Sequence, residues 1–241
     1  LLGNGSGGFS STGVPDVTAG NRPQSVVLGH MNGDGRLDLA VANRSSGNVM
    51  IFLGNGLGGF SQAPGSPFPS GPNPSALAAG DVNGDGKLDL AVANFGSNTV
   101  MIFLGNGSAG FSQSAGSPVP VGGGQSAIAL GDLNGDGKLD FAAAKSGSNG
   151  VAVRFGDGSG GFSQPPGSNY FVGVSPSSIA IGDVNTDGKP DLAVANNGSS
   201  NVTILLGNGS LGFSQLGSPL SVGGLPDSLV LRDLNGDGKL D

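Results

Sequence analysis

The stretch "DVNGDGKLD", Asp81 to Asp89, decides how this chain is read. It places three carboxylates in nine residues, broken by Gly84 and Gly86, directly before the apolar run LAVAN. The chain has 17 acidic residues, and every one is Asp. The segment recurs as HMNGDGRLD from His30, DLNGDGKLD from Asp132, DVNTDGKPD from Asp183 and DLNGDGKLD from Asp233. The first positions are 51, 51, 51 and 50 residues apart, and the five copies hold 14 of the 17 Asp. Only Asp16, Asp157 and Asp227 lie elsewhere.

A second marker keeps the same register. LGNGSGGF begins at Leu2, LGNGLGGF at Leu53, LGNGSAGF at Leu104, FGDGSGGF at Phe155 and LGNGSLGF at Leu206. Two markers in fixed phase define one structural unit per repeat. The 49 Gly and 15 Pro of the 241 residues would point to disorder in an aperiodic chain; here they recur as turns between short apolar runs. Within one unit the pattern predicts strands over 76–80, 89–94 and 98–104, with a fourth around 111–113. A Pro/Gly/Ser connection then leads onward. "NG" and Gly-rich pairs between apolar runs are hairpin turns. LAVAN is apolar on both faces, as a sheet packed between two others requires. No helical period of useful length appears.

Four antiparallel strands repeated radially make an all-β protein, a β-propeller. The repeats run over 25–75, 76–126, 127–177 and 178–227, and 228–241 plus 1–24 are expected to form a composite fifth blade in a single domain. Kelch propellers share the period but rely on aromatic signatures, and this chain has no Trp and one Tyr. Separate minidomains are disfavoured, because a unit of about 50 residues buries too little surface alone.

The Asp loops carry the chemistry. Calcium is a hard cation that takes six to eight oxygens. Odd positions in a tight loop converge on one point. In the second copy Asp81, Asn83, Asp85 and Asp89 offer side-chain oxygens, and Lys87 offers its backbone carbonyl. The same positions elsewhere are His30, Asn32, Asp34, Arg36 and Asp38; Asp132, Asn134, Asp136, Lys138 and Asp140; Asp183, Asn185, Asp187, Lys189 and Asp191; and Asp233, Asn235, Asp237, Lys239 and Asp241. The plainer alternative is an Asx-rich turn without metal, and five copies in register favour calcium. His30 replaces the first Asp, so the first of up to five Ca2+ sites is expected to be the weakest. An EF-hand is excluded: the twelfth position from Asp81 is Val92, and the loop runs into a strand pattern.

The net charge of −7 and the lack of basic runs argue against nucleic acid. No apolar run approaches membrane-spanning length. Without Cys there is no disulfide frame, zinc–thiolate site or thiol nucleophile. The single His30 has no partners for a triad, so no enzyme is expected. GNGSGG lacks the GK[ST] element of a phosphate loop. The GGF residues Phe9, Phe60, Phe111, Phe162 and Phe213 recur once per unit and are expected in the blade core.

GDVNGDGKLDLAVAN and NTVMIFLGNGSAGF resemble the FG-GAP/VCBS-type repeats of integrin-like β-propellers, over nearly the whole chain. That resemblance implies blades with calcium in the hairpin between first and second strands. It also implies extracellular or cell-surface work, with bacteria the expected source: adhesion, binding of a protein partner, self-assembly, or a scaffold beside a secreted enzyme. A glycan-binding lectin is the alternative. Because the chain stops inside a repeat, a longer natural chain is expected, with strand donation between copies as the other reading.

Overall fold

The computed structural model describes residues 2–3, 6, 8–10, 16–210 and 212–241. Blade 1 contains β3 (Pro23–Gly29), β4 (Asp38–Asn43), β5 (Asn48–Gly54), β6 (Phe60–Gln62) and β7 (Phe68–Pro69), after a short hairpin of β1 (Leu2–Gly3) and β2 (Phe9–Ser10). Blade 2 contains β8 (Pro74–Gly80), β9 (Asp89–Asn94), β10 (Thr99–Gly105), β11 (Phe111–Gln113) and β12 (Val119–Pro120). Blade 3 contains β13 (Gln125–Gly131), β14 (Asp140–Lys145), β15 (Gly150–Gly156), β16 (Phe162–Ser163) and β17 (Asn169–Phe171). Blade 4 contains β18 (Pro176–Gly182), β19 (Asp191–Asn196), β20 (Asn201–Gly207), β21 (Phe213–Gln215) and β22 (Leu220–Ser221). Each blade is an antiparallel meander, and the chain is an all-β β-propeller with almost no helix.

The expected fourth strand is present, as β11 over Phe111–Gln113 in blade 2, but the fourth position of each blade holds more than one strand. It is shared by two short strands. In blade 2, β11 pairs with the end of β10 (Gly105 with Phe111) and β12 with its start (Val100 with Val119). Part of the Pro/Gly/Ser connection is therefore strand. An edge strand tolerates Pro120, because its missing N–H costs no ladder bond on the open side.

Second strands are buried on both faces. Ala91 and Ala93 face one neighbouring blade, and Leu90 and Val92 face the other. Three apolar layers result, between blades 1 and 2, 2 and 3, and 3 and 4. Small Ala on one face lets the next blade approach closely. Phe111, Phe162 and Phe213 join these layers, with ring centroids 5.6 Å from Phe68, 5.0 Å from Phe141 and 5.5 Å from Tyr170. Phe60 is partly buried, and the side chain of Phe9 lies outside the described residues.

The two pieces expected to make a composite blade share no described sheet. β1 pairs only with β2, and no described strand lies in 222–241. Residues 228–241 nevertheless sit against blade 4. The Leu229 N–H donates to Ser178 Oγ, and Arg232 and Asp241 exchange backbone bonds of 3.3 and 2.9 Å. That exchange occupies the position of the Gly80–Asp89 pair in blade 2.

Candidate metal centre

Each acidic loop joins the first strand of a blade to its second. The loop from Asp81 shows how the sequence shapes it. Gly84 and Gly86 adopt φ of 75° and 78°, a region closed to most side chains. The turn this allows points backbone N–H groups at the carboxylates. Asp81 Oδ1 accepts from Gly84 N (2.7 Å) and Asp85 N (3.1 Å), and its Oδ2 accepts from Gly86 N (2.8 Å). Asn83 Oδ1 also accepts from Asp85 N, at 3.0 Å. One N–H thus draws the oxygens of positions one and three together. Asp85 Oδ1 accepts from Lys87 N (2.9 Å), and its Oδ2 lies 3.3 Å from the Lys87 ammonium.

Position nine has a different environment. Asp38, Asp89, Asp140 and Asp191 are fully buried. Asp89 accepts Val82 N at 2.9 Å and Gly105 N at 2.7 Å, so it clamps the loop to the third strand. The glycine is required there. A Cβ on Gly105 would lie 2.1 Å from the Leu88 carbonyl oxygen, and the same approach occurs at Gly54, Gly156 and Gly207. The two sequence markers are therefore halves of one contact: the LG of LGNG exists to receive the acidic loop.

Electrostatics separate the positions. The Lys87 N–H holds the Asp85 carboxyl below its ordinary value, the Arg36 N–H does the same for Asp34, and the Gly238 N–H for Asp233. Burial raises Asp89, and it pushes Asp140 up to about 6, with the charges of Asp136 and Asp132 adding to the shift. A buried carboxylate beside two like charges is stabilised by a cation.

The loops from Asp132 and Asp233 repeat the bonds of the first-position carboxylate, and the loop from Asp183 keeps those from Asp187 and Gly188. The first loop departs from this arrangement. His30 Nδ1–H donates to the Arg36 carbonyl oxygen at 2.9 Å, the backbone oxygen proposed as a ligand there. The fifth loop keeps Leu234 N on Asp241 (2.9 Å), but Asp241 is exposed.

Within each of these loops the donors are all oxygen, apart from the His30 ring, and carboxylates predominate. That chemistry fits a hard divalent cation and not zinc or copper. Among the described residues no three His, Cys, Asp or Glu side chains are gathered closely enough to form a cage by themselves. Any site here would use Asn and backbone oxygens beside the carboxylates.

A cavity of about 410 Å3 beside the first strands is lined in part by Arg44, Phe95 and Asp227. Its wall carries Ser75, Ser126 and Ser177, which sequence reasoning missed although each is the second residue of its first strand, where blade 1 has Gln24. Ser75 Oγ donates to the Gln125 carbonyl at 2.6 Å, and Ser177 Oγ to that of Pro226 at 2.6 Å. Each of these hydroxyls links one repeat to the next. Arg44 stacks on Phe95 with its guanidinium carbon 5.2 Å from the ring centroid.

A β-propeller whose blade hairpins carry repeated acidic loops is the class that fold and site define. A sequence model described as FG-GAP-like repeat matches residues 30–92, 81–143, 132–194 and 183–241, and the chain belongs to that family. No curated protein matches it. Among solved structures it is similar to a functionally unknown protein from Desulfotomaculum acetoxidans, with 14% identity and a TM-score of 0.66 over 90% of this chain and 61% of that one. A lectin from Agrocybe aegerita, solved for its recognition of non-reducing terminal N-acetylglucosamine, matches at 17% identity and TM-score 0.59, over 91% and 60% of the two chains. The periplasmic gluconolactonase of Pseudomonas aeruginosa matches at 21% and 0.64, over 85% and 55%. The chain spans about three-fifths of the length of these structures. At such identities the likeness shows the fold alone. Among the described residues no helix is long and apolar enough to cross a membrane.

Proposed function

We propose that this chain is a calcium-binding, non-catalytic propeller segment. It works outside the cell or at its surface, where it presents a rigid scaffold to a protein partner or to further copies of itself. One observation carries the reading. In the loops from Asp81, Asp132, Asp183 and Asp233, the side-chain oxygens of positions one and three meet at one backbone N–H. The residues that would hold Ca2+ are the odd-position side chains and the seventh-position carbonyl. Bound calcium supplies charge neutralisation and cross-links the hairpin. His30 stands alone among described residues as an imidazole and is spent on a carbonyl, which favours scaffold over catalyst.

Binding to the native state alone stabilises it by mass action, and several sites multiply the effect. Chelator should lower the Tm by many degrees, with calcium restoring it and magnesium failing to. Chelated protein, shown metal-free by elemental analysis, that melts at an unchanged temperature would refute the proposal.

The cavity at the first strands favours a second reading, a carbohydrate ligand. Hydroxyl, amide and guanidinium groups line it beside one aromatic ring. A glycan array separates the readings: selective glycan binding that Phe95→Ala abolishes supports the lectin, and an empty array removes it.

A further inference from the structure

Blade 3 departs from its repeat on one face. Where blades 1, 2 and 4 end the second strand on Asn43, Asn94 and Asn196, blade 3 has Lys145. Arg154 stands where they carry Phe52, Phe103 and Leu205, and Asn169 where they carry Pro67, Pro118 and Pro219. Phe171 replaces Pro69, Pro120 and Ser221. The register gathers these changes. Gly150 pairs with Lys145 on one side and Phe171 on the other, Asn169 pairs with Ala152, and Arg154 pairs with Phe141. Paired residues share a face of a sheet, and so do residues two apart on a strand, so all four replacements lie on one side of the blade.

A pocket of about 160 Å3 opens there, lined by Lys145, Ser148, Gly150, Asn169, Tyr170 and Phe171. It shares no lining residue with the first-strand cavity. A Cβ on Gly150 would lie 2.9 Å from the Tyr170 carbonyl oxygen and 3.5 Å from Lys145 Cε, so the glycine lets β17 and the lysine stem close together.

Two cations meet on this face without a carboxylate. Among the described residues every ion pair lies in an acidic loop, and neither Lys145 nor Arg154 joins one. Arg154 is buried, with its guanidinium bonded to the Val153 and Pro120 carbonyls. The Lys145 ammonium donates to Asn169 Oδ1 at 2.8 Å, which leaves its other protons and the Asn169 amide N–H groups for a ligand. Burial, and then the Arg154 charge, hold that ammonium below its ordinary value. A bound anion offsets both effects. Phe171, across Gly150 from the lysine, is 85% exposed. One accessible ammonium matches a monoanion, and an exposed ring offers a stacking face to another ring.

We propose that this pocket binds a carboxylate carried on a six-membered ring, with the carboxylate on Lys145 and Asn169 and the ring against Phe171. The site belongs to blade 3 alone and is independent of calcium and of the first-strand cavity.

The five lysines supply the test. In wild-type protein at fixed free calcium, limited acetylation is read at each lysine by peptide mass spectrometry. Glucuronate or benzoate, at about ten times its Kd, should slow labelling of Lys145 about tenfold and leave Lys87, Lys138, Lys189 and Lys239 unchanged. Whichever acid protects better identifies the ring as saccharide or aromatic. Glucose and acetate at the same concentration should protect little, since one lacks the charge and the other the ring. Saturation-transfer NMR should lose the bound-ligand signal in Lys145→Asn and in Phe171→Ser, which restore residues of the other blades and should keep the wild-type Tm. The proposal is overturned if neither acid protects Lys145, if glucose or acetate protects equally, if all five lysines are protected alike, or if either variant binds as the wild type does.

Discussion

In the loop of blade 3, Asp132 gathers three backbone N–H groups, from Gly135, Asp136 and Gly137, at 2.7 to 3.1 Å. In blade 1 the same position is His30, whose ring donates to a carbonyl. The two loops still follow one path. Their glycines have φ of 75° and 77° in blade 1 and 80° at both places in blade 3. Both clamp onto a buried ninth-position carboxylate, with Met31 N to Asp38 at 2.9 Å and Leu133 N to Asp140 at 2.8 Å. The path of the loop thus belongs to its glycines and ninth residue. The first position sets the charge the loop carries.

The largest expected effect breaks the shared part. Asp140→Ala would strand the buried N–H groups of Leu133 and Gly156, each now bonded to a carboxylate. Hydrogen bonds to charged groups contribute about 1.5–3 kcal/mol each, so the loss should be roughly 3–5 kcal/mol in urea unfolding. Asp132→Ala, in chelator, should cost far less. Equal costs would show that position one also carries the path.

A pH series probes the same carboxylate in chelator. The folded-state pKa of Asp140 lies near 6, above its ordinary 3.8, chiefly through burial. A raised pKa contributes stability that is fully present below about 4 and is lost as pH climbs through about 6. Chelated protein should therefore weaken by about 2–3 kcal/mol from pH 4 to pH 7 through this group. Asp34, Asp85 and Asp233, held low by backbone N–H groups, act in the opposite direction. Comparison with Asp140→Asn isolates the buried group. A wild-type curve parallel to that of the Asn variant would contradict the assignment.

These predictions concern features with unequal visibility in sequence. The blade strands were readable because LAVAN and NTVMIFL are apolar runs between turn residues, and the loops because Asp and Gly recur at fixed phase. Strands such as β12 were not readable, since two residues inside a Pro/Gly/Ser run carry no period. Arg154 was equally hidden. It is 3% exposed where blades 1, 2 and 4 carry Phe52, Phe103 and Leu205, and it donates to the carbonyls of Val153 and Pro120. Charge in sequence implies surface, and only packing shows a guanidinium buried beside Phe141. The pairing of Gly105 with the Leu88 carbonyl joins residues 17 apart in sequence, so neither marker alone could reveal it. Whether a loop holds metal depends on oxygens converging in space, which spacing suggests but does not measure.

His30→Asp sharpens the comparison by converting loop 1 into loop 3. The new carboxylate would accept the loop N–H groups and release the Arg36 carbonyl. Titration calorimetry should find one additional calcium per chain. At free calcium about thirtyfold above the Kd, that site would add roughly 2 kcal/mol. Unchanged stoichiometry would place the defect of loop 1 elsewhere.

The smallest effect lies in the fourth loop, which is intermediate between the other two. Asp183 has the carboxylate that His30 lacks, yet its described bonds come from Asp187 and Gly188 alone. Asp81, Asp132 and Asp233 also draw in the N–H of the fourth residue, at 2.6 to 2.7 Å. In the fourth loop that residue is Thr186, at φ 61°. A β-branched side chain in the left-handed region is strained by about 1–2 kcal/mol. Thr186→Gly removes the strain and lets the backbone settle toward the φ of 75–81° seen at Gly33, Gly84, Gly135 and Gly236. Glycine also adds freedom to the unfolded chain, which offsets about 0.4–1 kcal/mol. The net gain should be roughly 0.5–1 kcal/mol in chelator. It should be larger in calcium, because the third N–H then orients Asp183 toward the shared centre. Urea midpoints with and without calcium measure both terms. A loss of stability on Thr186→Gly would mean that the threonine hydroxyl, and not its strain, governs the loop.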